Sequence, residues 1–159
     1  MAVSIFGKFP SGIKGESQQA GHEDEVVVTS TSFGVSRPAA LTGNSRATGV
    51  AAFTDFIITK ETDSASNDLF LACTKATPLD EIVITFVKDA GDDQLDYLTY
   101  TLSNCLISGY MLSGTTGGDT PIENVSISFT KIKSVYKKQE NDHSGSSDHE
   151  MEYDLMARV

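Results

Sequence analysis

A mainly β fold is predicted, an antiparallel barrel or sandwich of two sheets with one α-helix at its side. Three observations predict it. Runs dense in Val, Ile, Thr, Phe and Tyr recur at residues 25–35, 81–88, 95–111 and 122–136, and these residue types suit a pleated, half-buried surface. Turn formers separate the runs, among them Pro10, Gly12, Pro38, Gly43, Asn44, Gly91, Gly114 and Gly117. Only one segment carries helical spacing, and the regular strand–helix alternation of a parallel sheet is missing.

The elements follow in order. Residues 3–9 form a first strand that ends at Pro10 and Gly12. Residues 25–35, EVVVTSTSFGV, read as one strand with two faces. Its odd positions, Val27, Thr29, Thr31, Phe33 and Val35, are the more apolar and are expected to face a core. Its even positions, Val26, Val28, Ser30 and Ser32, are expected to face water, which gives the strand an antiparallel character. Residues 36–48, SRPAALTGNSRAT, form a connection longer than an ordinary hairpin loop. Ordered loops of that length in small domains generally contact something. Residues 49–60 return as a strand through Phe53, Phe56, Ile57 and Ile58.

Residues 62–75 are the helix. Asp63 or Ser64 can cap it by accepting from the free amides of the first turn. Ala65, Leu69, Ala72 and Cys73 share one face. Lys75 suits the negative end of the dipole, and Pro78 prevents continuation. Residues 81–88, EIVITFVK, are apolar on both faces and belong in the middle of a sheet. Residues 90–94 are a turn. Residues 95–111 are a long strand with Leu98, Tyr100, Leu102, Leu106 and Tyr110 on one face. Residues 113–119 are a loop. Residues 122–136 are a strand in which the phase set by Val125, Ile127 and Phe129 shifts to Ile132, Ser134 and Tyr136, as at a bulge. Residues 138–148 are polar and acidic, and a last short strand is expected at 153–159.

Composition narrows the function. At 159 residues the chain fits a single domain, 1–159, and 39% hydrophobic residues supply a core. The net charge is −10. Nucleic acid binding needs Lys/Arg clusters that neutralise phosphates, and the one cluster, Lys131, Lys133, Lys137 and Lys138, is flanked by acids and reads as solvent-facing lysines on a strand. Anionic membrane surfaces are disfavoured for the same reason. No run approaches the ~20 apolar residues of a membrane span, and the first residues, MAVSIFGKFPSGIKGES, lack a basic start followed by an apolar stretch. Synthesis in the cytoplasm is expected, with any export using a route that needs no cleaved signal. Cys73 and Cys105 lie in apolar runs and read as small buried thiols, not as a disulfide.

Chemistry is sparse. No Ser-x-x-Lys, Gly-x-Ser-x-Gly or His-Glu-x-x-His pattern occurs. The Gly114–Thr120 segment lacks the Lys-Ser/Thr ending of a phosphate loop. Asp142, His143, Asp148, His149, Glu150 and Glu152 are dense enough in ligands to attract a cation, but Gly145 and its three neighbouring serines read as a solvated loop. Asp92, Asp93 and Asp96 read as solvated acids at a turn, and Cys105 has no His near it in sequence. No enzyme, cofactor or metal is expected.

A family resemblance carries the reading further. Gly12-Ile13-Lys14-Gly15-Glu16-Ser17 resembles the G-x-K-G-E-S signature near the start of hemolysin-coregulated proteins. His22 with Asp24 and Glu25, then the Val-rich strand ending in Phe33-Gly34-Val35-Ser36, is similar to that family's second strand. Asp55-Phe56 with Thr59-Lys60, the helix through Leu69 and Cys73, Lys88 with Ala90-Gly91, Leu95 with Tyr97-Leu98, Glu123-Asn124-Val125-Ser126 with Phe129 and Lys131, and Tyr153-Asp154-Leu155 with Ala157 continue the match in order over nearly the whole chain.

The resemblance implies a structural subunit of the type VI secretion inner tube. It would assemble as a homohexamer whose rings stack into a tube, with the spike protein, the contractile sheath and effector proteins as partners. It would be made in the bacterial cytoplasm and secreted without a signal peptide. Ser30 and Ser32 would face the lumen. Arg37, Leu41, Asn44 and Arg46 would form a subunit–subunit loop. Gly91, Asp92, Asp93 and Arg158 would meet between stacked rings. The family usually has two tryptophans in its second strand, whereas this chain has Thr31 and Phe33 there and no Trp. An alternative stays open: a secreted effector-like or adhesive binding protein on the same barrel.

Overall fold

The computed structural model describes residues 2–43, 45–90, 93–139 and 146–159. In chain order the elements are β1 (Val3–Lys8), β2 (Val26–Val28), β3 (Ser30–Ser32), β4 (Val35–Ser36), β5 (Ala39–Thr42), β6 (Ser45–Thr48), β7 (Ala52–Phe53), β8 (Phe56–Glu61), α1 (Ser66–Thr74), β9 (Leu79–Ala90), β10 (Asp93–Ser113), β11 (Ile122–Ser128), β12 (Lys131–Gln139) and β13 (Ser146–Asp154). All strand pairings are antiparallel. The predicted mainly β fold with one helix is what the chain adopts.

The main sheet runs β2-β1-β9-β10-β11-β8-β3, and β12 and β13 continue from the first half of β10. Its two end strands, β2 and β3, are consecutive in sequence and meet at Thr29, so the sheet closes on itself. Two long stretches bend to let this happen. β10 pairs with β9 and β12 through its first half and with β11 through its second. Asn104 marks the corner with φ 54°, and its side-chain amide donates to Thr130 Oγ1 at 3.2 Å. Opposite it, the chain leaves β11 at Ser128 and re-enters the other sheet at Lys131, with the Thr130 amide donating to the Ser103 carbonyl at 3.1 Å. The bulge expected after Phe129 is this corner.

These corners overturn two face assignments. Along residues 25–35 the sequence predicts one alternation, but the chain forms three strands and the phase reverses at Thr29. Val26 and Val28 are buried, whereas Val27 is 49% exposed; beyond Thr29 it is Thr31 and Phe33 that turn inward. The Thr29 amide and Oγ1 both donate to the Thr59 carbonyl at 2.8 Å, which pins the turnover point on β8. Likewise Leu102 is buried but Leu106 is 41% exposed, because the left-handed Asn104 rotates the strand so that Cys105 and Ile107 enter the core instead.

Other boundaries shift. The expected loop at 36–48 contains the β5–β6 hairpin, and the expected last strand at 153–159 lies earlier, as β13. The helix begins at Ser66, not Thr62: Asp63 Oδ1 accepts from the Ala65 amide at 2.9 Å, and the Asp63 amide donates to Ser66 Oγ at 2.9 Å, a reciprocal arrangement that holds the entry turn. At the other end Ala76 takes φ 51°, with the Thr77 amide donating to the Ala72 carbonyl at 3.0 Å and the Ala76 amide to the Cys73 carbonyl at 3.3 Å. This 6→1 plus 5→2 pair stops the helix before Pro78.

Ala65, Leu69 and Ala72 bury one helix face in the core cluster that also holds Ile58, Ile82, Leu102, Val125 and Ile127. In this chain without Trp the second-strand region packs through an aromatic group: Phe33 stacks on Phe56 at 4.8 Å and meets Tyr100 edge-on at 5.1 Å. Both cysteines are free; Cys105 is buried, and Cys73, expected buried, is half-buried.

Candidate assembly surfaces and the sites behind them

The outward face of β3, β8, β11 and the second half of β10 is built by register. Ser30 lies opposite Thr59 and Ser32 opposite Ile57. Thr59 lies opposite Asn124 and Ile57 opposite Ser126. Asn124 and Ser126 then face Met111 and Gly109. Residues directly opposite in a ladder share a face, so Ser30, Ser32, Ile57, Thr59, Asn124, Ser126, Gly109 and Met111 form one surface. Their neighbours Thr31, Ile58, Val125 and Ile127 point to the core. Thr59 Oγ1 donates to Asn124 Oδ1 at 2.8 Å. No ionisable side chain lies within this strip, in a chain of net charge −10. Acids stand only at its ends: Glu61, opposite Ile122, and Asp55, which accepts from Ser108 Oγ at 2.6 Å.

The outward face of the other sheet has the opposite character. Lys131 pairs with Glu152 at 2.8 Å and Lys133 with Glu150 at 3.9 Å across β12 and β13. Lys131 and Lys133 of the lysine cluster therefore neutralise acids of their own hairpin. This arrangement also divides the sequence-level metal candidates. Glu150 and Glu152 are engaged by lysines, and His149 lies beside Tyr136. Asp142 and His143 lie outside the described residues. Among the described residues no group of three His, Cys, Asp or Glu side chains is arranged to hold a metal ion. The Cys105 thiol is pushed up to about 12 by burial, the opposite of what a nucleophile needs.

The arm at 36–49 stands apart from the barrel. β5 and β6 pair only with each other. Its base is closed by the Gly49 amide donating to the Pro38 carbonyl at 2.8 Å, and a Cβ on Gly49 would come within 2.5 Å of Pro38 Cγ. Leu41 on this arm is 79% exposed and Arg37 is exposed. Asn44 lies outside the described residues, as does the side chain of Arg46. Of the predicted stacking residues, Gly91 and Asp92 lie outside them too, and of Asp93 only the backbone is described, paired with Ala90. Arg158 is exposed in a tight terminal turn, with φ 61° and its amide donating to the Asp154 carbonyl at 2.7 Å.

Two clusters were not identified from sequence. Lys60 and Glu123, wholly buried on β8 and β11, meet at 3.1 Å. Lys60 Nζ also donates to Ser66 Oγ at 3.0 Å and contacts Asp63 Oδ1 at 3.0 Å. Ser66 Oγ donates to Glu123 Oε2 at 2.6 Å, and the Tyr110 hydroxyl donates to Glu123 Oε1. Burial alone would raise the Glu123 carboxyl, but the bonds from Ser66, Tyr110 and Lys60, with the Lys60 charge, hold it below its ordinary value. Burial, helped by that carboxylate, pushes the Tyr110 hydroxyl up to about 12. The cluster fastens the helix N-terminus behind the uncharged face. Its signal was phase: Phe56, Ile58, Lys60 and Glu123, Val125, Ile127 each fall on one inward row.

The second cluster covers the other sheet. His22 stacks on Phe6 with ring centroids 4.7 Å apart. Its Nδ1 lies 2.7 Å from Glu25 Oε2 and its Nε2 3.0 Å from Asp96 Oδ1. Gly15 makes this cover possible: a Cβ there would sit 2.5 Å from the Glu25 carbonyl oxygen and 2.6 Å from Val26 Cα, so the loop can lie flat on the strand only with glycine.

Residues 6–136 match the family model described as type VI secretion system effector, Hcp. The chain belongs to the Hcp family. Within that family it is 31% identical over 143 residues to protein hcp1 of Pseudomonas aeruginosa strain PAO1, covering 89% of this chain and 88% of that one. The Salmonella typhimurium Hcp1 crystal structure superposes with a TM-score of 0.81 at 26% identity, over 99% of this chain and 98% of the other. A structure described as a type six secretion system protein shares the fold at TM-score 0.91 and 22% identity, over 99% of both chains. The Hcp resemblance read from Gly12–Ser17 onward is thereby established, and the chain is a type VI secretion system protein.

Proposed function

We propose that this Hcp-family chain is the inner-tube subunit of a type VI secretion system, a structural protein whose six-membered rings stack and carry effectors. The uncharged strip through Ser30, Ser32, Thr59, Asn124 and Ser126 is the observation that carries the reading. A channel that passes varied cargo must not bind it by charge, and in so acidic a chain an uncharged sheet face is the natural lining. Ser30 and Ser32 then face the lumen. The arm with Arg37, Leu41, Asn44 and Arg46 reaches a neighbouring subunit, which would cover the exposed Leu41. A rotational ring uses two different patches on each subunit, and the arm supplies one. Gly91, Asp92 and Asp93 of one ring approach Arg158 of the next. The spike protein and contractile sheath complete the set of partners, and the protein passes from the bacterial cytoplasm to the outside through the system itself.

Native mass spectrometry at micromolar concentration tests the reading. A six-membered ring is the expected species. A monomer alone would overturn it in favour of an effector-like or adhesive protein on the same barrel.

A further inference from the structure

We propose that His22 is a cationic latch that fastens the 14–25 loop to the base of the β9–β10 hairpin, so that alkaline pH releases the loop. The geometry requires the charged ring. Both neighbours, Glu25 at 2.7 Å and Asp96 at 3.0 Å, are carboxylates that only accept. Both ring nitrogens must therefore donate, and only imidazolium has two N–H groups. A neutral ring could satisfy one carboxylate and would turn a lone pair toward the other.

The surroundings confine the effect to this trio. His22 is 7% exposed. The face it covers is contributed by Phe6 of β1 with Thr85 and Val87 of β9, opposite Phe6 and Asp96 respectively, none of them charged. Lys8 lies two residues along β1 from Phe6. On its own loop the carboxylates are Glu16, Glu23, Asp24 and Glu25, with Lys14 lying 3.8 Å from Asp24, and from β10 it meets Asp96. Burial pulls the imidazole down, but the bonds to Asp96 and Glu25 and their charges outweigh it and the net shift is upward.

The rest of the loop is tied differently. Lys14 carbonyl accepts from Ser64 Oγ at 2.8 Å on the helix side. Gly15 and Ser17 amides donate to the Asp24 and Glu25 carbonyls at 2.8 and 3.1 Å. Toward the hairpin the side-chain ties are the His22–Asp96 bond and the exposed Gln19–Gln94 bond at 2.7 Å. Loss of the His22 charge therefore leaves that exposed amide pair and at most one of the ring's two carboxylate bonds.

The test is an NMR titration of the His22 ring on the full chain, with amide exchange of Gly15, Ser17 and Asp24 measured across the same range and corrected for intrinsic exchange. The ring midpoint is expected above the ordinary histidine value of about 6.5, and amide protection is expected to fall through that midpoint. Asp96→Asn, at a half-exposed site, should fold, lower the midpoint and move the fall in protection with it. His22→Gln should remove the pH dependence of protection. A midpoint at or below about 6.5, a midpoint unmoved by Asp96→Asn, or protection equal on both sides of it would overturn the latch.

Discussion

Lys60 Nζ lies 3.1 Å from Glu123 Oε2 with neither side chain exposed to solvent. Breaking such a pair leaves an uncompensated buried charge and costs about 3–5 kcal/mol. Glu123→Ala and Lys60→Met should each lose stability on that scale in urea denaturation. The double change Lys60→Met with Glu123→Leu should recover most of the loss, because two apolar side chains need no partner. If the double variant is as unstable as the sum of the two single ones, the pair is not the unit that matters.

The same carboxylate predicts an acid dependence. Glu123 is held below its ordinary value in the folded chain. Its contribution is therefore complete above the unfolded value of about 4.3 and is lost as pH falls through the lower folded value. Glu123→Gln should flatten this part of the stability–pH curve. A wild-type curve that stays level through that acid window would count against the assignment.

Side-chain direction at the second strand can be read from one pair of variants. Phe33 packs on Phe56 and Tyr100, so Phe33→Ala should cost about 3 kcal/mol, near the low end for such truncations because the ring is only half-buried. Ser32→Tyr, on the outward face, should stay within about 0.5 kcal/mol, and under the tube reading it should leave rings intact while impairing cargo retention. The reverse order of stability losses would mean that the faces are exchanged.

Thiol accessibility separates the two cysteines. Cys73 is half-buried at the end of the helix, while Cys105 is buried with its thiol pushed up to about 12. A thiol reagent on the native protein should label Cys73 first and leave Cys105 until unfolding. Equal rapid labelling would contradict the packing of Cys105 against the core.

Under the tube reading, ring stacking would be a balance of long-range repulsion and local pairing. Six copies of a −10 subunit repel another such ring, and salt screens that repulsion with a Debye length of ~8 Å at physiological ionic strength. The proposed contacts between Asp92 or Asp93 and Arg158 of the next ring would contribute only about 0–1 kcal/mol each. Stacking followed by light scattering should therefore rise with salt and with falling pH, and Arg158→Glu should weaken it without dissolving single rings. Strongest stacking at the lowest salt would reverse the ranking of the two effects.

Much of this was written in the sequence. Alternating apolar positions determined that the chain is β-rich, Pro78 and the 3.6-residue spacing of Leu69 and Ala72 determined one helix, and the phase shift after Phe129 located a corner. The ordered motifs from Gly12 to Ala157 determined the family. Tertiary structure alone decided the faces of Val26, Val28 and Leu106, because alternation reports a local period and not which sheet a half-strand joins; one residue at Thr29 or Asn104 reverses everything beyond it. It also decided the two buried polar clusters. Lys60 meets Glu123 across 63 positions and His22 meets Asp96 across 74, and a charge reads as solvated in a sequence until the fold withdraws the water from it and sets its partner alongside.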